Sequence, residues 1–556
     1  MRNRIFILLM LVLFFLQAYG QYNGTVTTNL SELNFSQQDG YDIIQFKSNL
    51  TTEETGAPQL PVKILKYILP LDIKVSGVVV INSVIEQING QFNIFPFQPP
   101  VPVSITTSSD FVDPNPVIYN STNPYPNIRV EIIDDGYPMD YHVVTLKFYP
   151  VEYLPASKIV KLYKQINFTI SYETAASSVQ IPKRISRFSY DIGQSLISAV
   201  VENKSDLSSV QGGGLNISNN PPSSFALKFL PSLSTGEPDY IIITNDMFKE
   251  YFKPLADWKT RKGITTLIVT VEEISANFHG SDLAEKIRNY LIHVHSEWGT
   301  KFILLGGDID IIPVRIGFST YYGNWETDLY YSTVMGNWNA NGNSIFGEGT
   351  DGVDVNPVFF LGRAPVSALN LQANPPINDV ATFVKKVISY EQLKEYGTGT
   401  IINKNYVNNF LFLSAYLSNP PNVCFSSISA DLENGNTYLS SNIKVLRLYD
   451  DYLNSLWNTT GTDQHFAELS KSNVIDALKN GSSLFPAQKF HIVYHMDHSK
   501  ESNMGTSSNC HNQRIDCGDM DDLNNGPFYQ ILFTNGCEPN HFFKNSISKH
   551  YIKKLF

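Results

Sequence analysis

Cysteine is scarce in this chain: there are four in 556 residues. That is too few for a disulfide-stapled scaffold, so the fold must rest on hydrophobic cores. Charge is sparse as well, at 17% of residues, with a net balance of −11. No basic excess exists to neutralise phosphates, which excludes a nucleic-acid partner. No run of like charge forms an interaction tail. Beyond the first twenty residues no apolar run is long enough for a helix to cross a bilayer, so no stable membrane insertion is expected.

What the chain does have is bulk for several cores. Hydrophobic residues reach 42%, with 34 Phe and 30 Tyr, and the length predicts two or three domains. At the start, Arg2 and Arg4 precede an apolar run from Ile5 to Leu16, and Ala18-Tyr19-Gly20 supplies small residues where a signal peptidase inspects. Residues 1–20 therefore read as a signal peptide cleaved before Gln21, and the protein as secreted. Sequons at Asn23, Asn29, Asn34, Asn49, Asn120, Asn167, Asn203, Asn216, Asn458 and Asn480 agree with a glycosylated exported chain. In an oxidising compartment Cys510 and Cys517 would close a short loop, leaving Cys424 and Cys537.

Residues 21–175 read as a β-rich domain, a sandwich or barrel. Val62–Leu69, Val75–Ile85, Tyr141–Phe148 and Ile166–Tyr172 are β-branched or alternating, with prolines between them. Residues 176–237 are rich in Ser, Asn, Gly and Pro and read as a linker, with Lys183-Arg184 and Arg187 offering basic cleavage sites. At Pro238 strands begin to alternate with helices. Asp239–Thr244, Met247–Lys262, Thr265–Val271, Ala284–Trp298 and Lys301–Leu305 spell βαβαβ. A parallel sheet sandwiched by helices follows, in an α/β subdomain of residues 238–400. Tyr406–Leu413, Ile443–Leu448, Lys489–Tyr494 and Phe528–Thr534 predict a second such sheet in residues 401–556.

Sites in parallel sheets gather beyond the C-terminal ends of the strands. One of the last two strands runs into His495-Met496-Asp497-His498-Ser499, the other into Asn535-Gly536-Cys537. If they are neighbours, His498 and Cys537 emerge at one edge, where an imidazole can take the proton of a thiol. Gly536 would leave room for a substrate backbone, and nearby N–H groups could hold an oxyanion. Spacing alone leaves a buried cysteine and surface histidines equally open. Asn339, Asn341, Asn343, Glu348, Asp351 and Asp354 place oxygens around glycine turns. A structural calcium and plain turn chemistry both account for that pattern. His495, His498, Cys510, His511 and Cys517 match no familiar zinc spacing.

Several of these segments, taken in order, resemble the gingipain-type cysteine peptidases. Tyr494–Ser499 matches their His-x-Asp-His variant, and Asp522–Asn525 with Phe528–Cys537 matches the approach to their nucleophile. Pro254–Lys259 with Lys262-Gly263, Ile287–Tyr290, Leu304–Asp308 through Ile312-Pro313, Thr327–Tyr331, Leu361–Pro365 and Val387–Glu391 match further landmarks. Gly56–Val62 and Val151–Pro155 are similar to the same family's propeptide domain.

The resemblance implies a caspase-like catalytic domain behind an inhibitory or chaperoning prodomain, with His498 and Cys537 as the catalytic pair. It implies a secreted cysteine endopeptidase made as a zymogen, acting on proteins or peptides without a required cofactor. Oligomeric state is left open. Two departures favour an alternative, an inactive or shortened form serving as a secreted binding module. Where relatives carry an acidic residue that supports the histidine, this chain has Ser414-Ala415-Tyr416. Only 19 residues (556 − 537) follow Cys537, fewer than in relatives, so the second subdomain is expected to be incomplete.

Overall fold

The computed structural model describes residues 19–46, 50–99, 111–174, 182–210, 216–218, 238–319, 323–374, 376–415, 432, 439–450, 466–481, 489–506 and 513–553. The chain divides into two compact units, one of residues 1–180 and 193–214, the other of residues 181–192 and 215–556.

The first unit is a sandwich of antiparallel sheets. Its strands are β1 (Tyr19–Thr27), β2 (Lys63–Leu69), β3 (Ile73–Ile88), β4 (Val130–Gly136), β5 (His142–Phe148), β6 (Val151–Leu154) and β7 (Ile159–Thr174). One sheet runs β1-β7-β3 with β6 also on β7; the other runs β2-β5-β4. Alternation decides which residues face inward. Ile166, Phe168 and Ile170 of β7 have no exposed surface. The Phe168 ring meets Tyr67 and Phe148 of the opposite sheet, with centroids 5.3 and 5.1 Å away.

The second unit holds two wholly parallel sheets. In the first are β8 (Tyr240–Thr244), β9 (Thr266–Thr270), β10 (Phe302–Gly306) and β11 (Phe360–Ala364), in the order β9-β8-β10-β11. Helices α1 (Lys249–Arg261), α2 (Leu283–Trp298) and α3 (Asp379–Gln392) cover it. The local chemistry of α2 is simple. The Asp282 carboxylate accepts the Glu285 N–H at 2.8 Å, and Gly299 in the left-handed region (φ +64°) ends the helix. Between them Ile287, Tyr290, Leu291 and Val294 form one buried stripe.

The second sheet runs β14-β13-β12-β15-β16, with β12 (Asn409–Ser414), β13 (Lys444–Tyr449), β14 (Phe466–Glu468), β15 (Ile492–Met496) and β16 (Ile531–Thr534). Helices α4 (Lys471–Asn480) and α5 (Ile547–Lys553) accompany it.

Three expectations are corrected. The linker contains folded structure: strand Arg184–Ser186 pairs in parallel with Asn216–Ser218, and a helix spans Arg187–Val200. Ser189, Gly193 and Ile197 are buried at a spacing of four, a helical period that the Ser- and Gly-rich composition hides. Residues 404–408 form a 3-10 turn before β12, and β15 and β16 each start about three residues later than the apolar runs predict. The cause is that Tyr406, Phe490 and Tyr529 are buried from turns and loops, so the runs overstate the strands. Cys517 is a free thiol, which removes the expected bond to Cys510; Cys424, Cys510, His511 and Tyr416 lie outside the described residues.

Candidate active site

β15 and β16 are adjacent and parallel, in a register that sets His495 opposite Thr534. The Asn535 N–H donates to the His495 carbonyl at 3.0 Å and extends that register past the strand ends. His498 and Cys537 each lie three positions beyond this pair. They therefore leave the sheet at the same edge and the same level. His498 is half-buried and Cys537 is an exposed free thiol.

The loops that carry them touch. A Cβ placed on Gly536 would lie 1.8 Å from Ser499 Oγ and 2.4 Å from Ser499 Cβ. Gly536 is thus required by the approach of its neighbour's loop, where the sequence suggested room for a substrate. Its N–H is also engaged, donating to Thr534 Oγ1 at 3.0 Å, so the expected oxyanion donor already has a partner. Ser499 is buried, and its hydroxyl has no hydrogen-bond partner among the described residues.

Asp497 does not project into solvent. It is 2% exposed and accepts the His498 N–H at 2.6 Å through Oδ1. Gly505 packs on this carboxylate so closely that a Cβ there would meet Asp497 Oδ2 at 2.2 Å. The Gly505 N–H in turn donates to the His498 carbonyl at 2.8 Å. The His498 backbone is therefore held from both sides.

Two nearby carboxylates escaped the sequence reading. Glu326, on a hairpin strand Gly323–Thr327, lies 2.9 Å from Nδ1 of His541, four residues after Cys537. Asp450 is buried one residue past β13, and its N–H donates to the Ser414 carbonyl at the end of β12. A hairpin more than two hundred residues away leaves no local trace; an acid immediately after an apolar strand does, and it was the available signal for Asp450.

The loop from Asn339 to Asp354 directs its oxygens onto its own groups. Asp351 accepts N–H bonds from Ala340, Gly347 and Glu348 at 2.8–3.2 Å, and Glu348 Oε1 accepts from the side chains of Asn341, Asn343 and Thr350. The Oδ1 atoms of Asn341, Asn343 and Asp354 each accept the N–H two residues on, and that of Asn339 accepts from Ser344. Each of these bonds is turn chemistry. Among the described residues no group of three or more His, Cys, Asp or Glu is arranged to hold a metal.

Residues 234–554 match the sequence profile of peptidase family C25. The chain belongs to this family. Residues 25–189 match the C25 propeptide profile, so the β sandwich of the first unit is the family's propeptide domain. Both parallel sheets lie within the residues that match the peptidase C25 profile. Among solved structures, the Arg-specific cysteine proteinase gingipain R is similar at 18% identity and a TM-score of 0.39. That alignment covers 59% of this chain and 61% of the gingipain R chain. A complex of the Porphyromonas gingivalis RgpB pro- and mature domains matches at 18% identity and 0.38, over 57% of this chain and 60% of the other. A structure on the zymogenic latency of gingipain K, from the same organism, matches 28% of this chain and 88% of its own, at 19% identity and 0.24. No curated protein sequence matches.

The family's charged landmarks form structural staples in this C25 chain. Glu391 receives the indole N–H of Trp258 and the ammonium groups of Lys259 and Lys262. Arg363 makes a two-pronged contact with Asp328 at 2.7 and 2.8 Å. Each staple joins two of the segments that carry the resemblance.

Proposed function

We propose that this C25 family member is a secreted cysteine endopeptidase made as a zymogen, with Cys537 as nucleophile and His498 as base. The single observation that supports it is the His495–Thr534 register, which brings both residues off one sheet edge at one level. The Cys537 thiol gives its proton to His498, and the thiolate attacks the carbonyl carbon of a peptide bond. The tetrahedral intermediate expels the amine, which takes the proton from His498, and water then hydrolyses the thioester. This chemistry uses no cofactor. Residues 1–20 would direct export and be removed, and the propeptide domain would keep the enzyme latent. Asp450 places a carboxylate at the same edge, so substrates with Arg or Lys before the scissile bond are the ones to try first.

The purified full chain would be treated with a thiol-directed peptidyl probe, and the labelled residue located by mass spectrometry. Labelling at Cys537 that drops at least about a hundredfold in His498→Ala supports the dyad. Slow labelling equal in both would establish the alternative, an inactive peptidase fold acting as a binding module. The absence of a carboxylate at Ser414-Ala415 is the observation that keeps that alternative in play.

A further inference from the structure

His495 has no part in the mechanism above, yet it is fully buried directly between the two site loops. Its ring Nε2 lies 2.8 Å from the Gly505 carbonyl and its Nδ1 lies 2.8 Å from Thr534 Oγ1. A carbonyl oxygen only accepts, so Nε2 must carry the proton. In the neutral ring Nδ1 is then an acceptor, and the Thr534 hydroxyl donates to it. The oxygen of that hydroxyl is left to accept the Gly536 N–H at 3.0 Å. Burial holds the imidazole below its usual range, against opposing pulls from the Gly505 carbonyl and then Asp497, and so favours the neutral form.

The result is one continuous thread. It runs from the Gly536 N–H through Thr534 and His495 to the Gly505 carbonyl, and the Gly505 N–H closes on the His498 carbonyl at 2.8 Å. One end fixes the residue before the thiol, and the other fixes the backbone of the proposed base. We infer that His495 is a positioning residue, setting the Cys537 loop against the His498 loop through Thr534 and Gly505. This inference rests on the reading of Cys537 and His498 as the catalytic pair. A misplacement of about 1 Å in such a pair costs roughly a hundredfold in rate, so the thread would act on reactivity well beyond its share of stability.

The test uses the full chain and measures the rate of probe labelling at Cys537 as a function of pH, with thermal unfolding in parallel. Thr534→Val removes the hydroxyl while keeping the shape, Thr534→Ser retains it, and His495→Leu removes both ring bonds. The expected result is labelling slowed about tenfold or more in Thr534→Val and His495→Leu, with the pH midpoint moved upward because the thiolate loses its placed imidazole. Thr534→Ser should label as the unsubstituted chain does. If His495→Leu fails to fold, the Val and Ser variants decide between them. Thr534→Val labelling at the unsubstituted rate and midpoint, while His498→Ala is slow, overturns the positioning role. Labelling unchanged in His498→Ala overturns the dyad itself, a distinguishable failure.

Discussion

The second unit carries two parallel sheets of the same design, and their C-terminal edges are used in opposite ways. At the edge of β8 and β10 the polar groups pair with one another. The Thr244 hydroxyl donates to the Gly306 carbonyl at 2.6 Å, and Asp308 receives Lys549 through both oxygens at 2.9 Å. At the edge of β15 and β16 an exposed thiol and a half-buried imidazole are left toward the surface, above a buried hydroxyl that has no hydrogen-bond partner among the described residues. Crossover handedness and strand polarity make both edges equally suited to a site. What separates them is whether side chains from elsewhere in the fold close the edge. Lys549 lies on α5, ten residues beyond the Cys537 loop's Pro539, so the closed edge also anchors the segment that follows the open one.

The comparison breaks most sharply at Lys549. Its ammonium is buried between Asp308 and the Phe542 carbonyl, which it contacts at 2.7 Å. Lys549→Met leaves the Asp308 carboxylate buried with the Ile309 N–H at 2.9 Å and, as the nearest cation among the described residues, the more distant Lys553 at 3.7 Å. The expected loss is about 3 kcal/mol in denaturant unfolding, the low end for a broken buried pair. Asp308→Asn combined with Lys549→Met should recover part of it, because the stranded charge is gone. A single variant as stable as the parent would mean that the first edge is not closed by this pair.

Next in size is Gly536. A methyl there collides with Ser499, so Gly536→Ala should cost about 1–3 kcal/mol and slow Cys537 labelling. Adding Ser499→Gly removes the colliding atoms and should restore both. The double variant thus tests whether the need for glycine is steric, since alanine keeps the backbone N–H. No recovery in the double variant would show that Gly536 is required for something other than the approach of Ser499.

A smaller effect sits at Lys386 on α3. Its ammonium donates to the Tyr551 and Ile552 carbonyls near the end of α5, and burial lowers its pKa to about 7. An unfolded lysine keeps its proton up to about 10.4. Between those values the unfolded chain binds more protons, so this group makes stability rise as pH rises from about 7 toward 10. Lys386→Met should flatten that slope in unfolding experiments at stepped pH. An unchanged slope would show that the two carbonyls and the adjacent Tyr529 and Tyr551 rings hold the ammonium charged throughout.

Much of this was legible in the sequence because hydrophobic period and strand punctuation are local. The βαβαβ run from Asp239 could be read directly, as could the two late strands themselves, whereas their pairing was only a condition until the register was seen. Elements stabilised by a few anchors could not. The helix Arg187–Val200 hides in a Ser- and Gly-rich composition, and Tyr406 and Tyr529 pass for strand residues although they plug turns. At the site, the chemistry-bearing types at strand ends were visible, but the reason for Gly536 was not. It depends on Ser499, and the thread through His495 depends on Thr534 and Gly505, which only the three-dimensional register brings together.

The smallest expected effect sharpens the comparison from the open side. Cys537 is exposed, and replacing it with serine removes neither a core contact nor a buried partner. Surface changes of that kind stay within about 0.5 kcal/mol. Cys537→Ser should therefore unfold at nearly the same denaturant concentration as the parent while losing all site labelling. Lys549→Met does the reverse in kind, lowering stability through an edge that carries no nucleophile. If Cys537→Ser instead destabilised the chain by 1 kcal/mol or more on the scale of a lost hydrogen bond, the thiol would be a structural group. The open edge would then be closed in solution as the first one is.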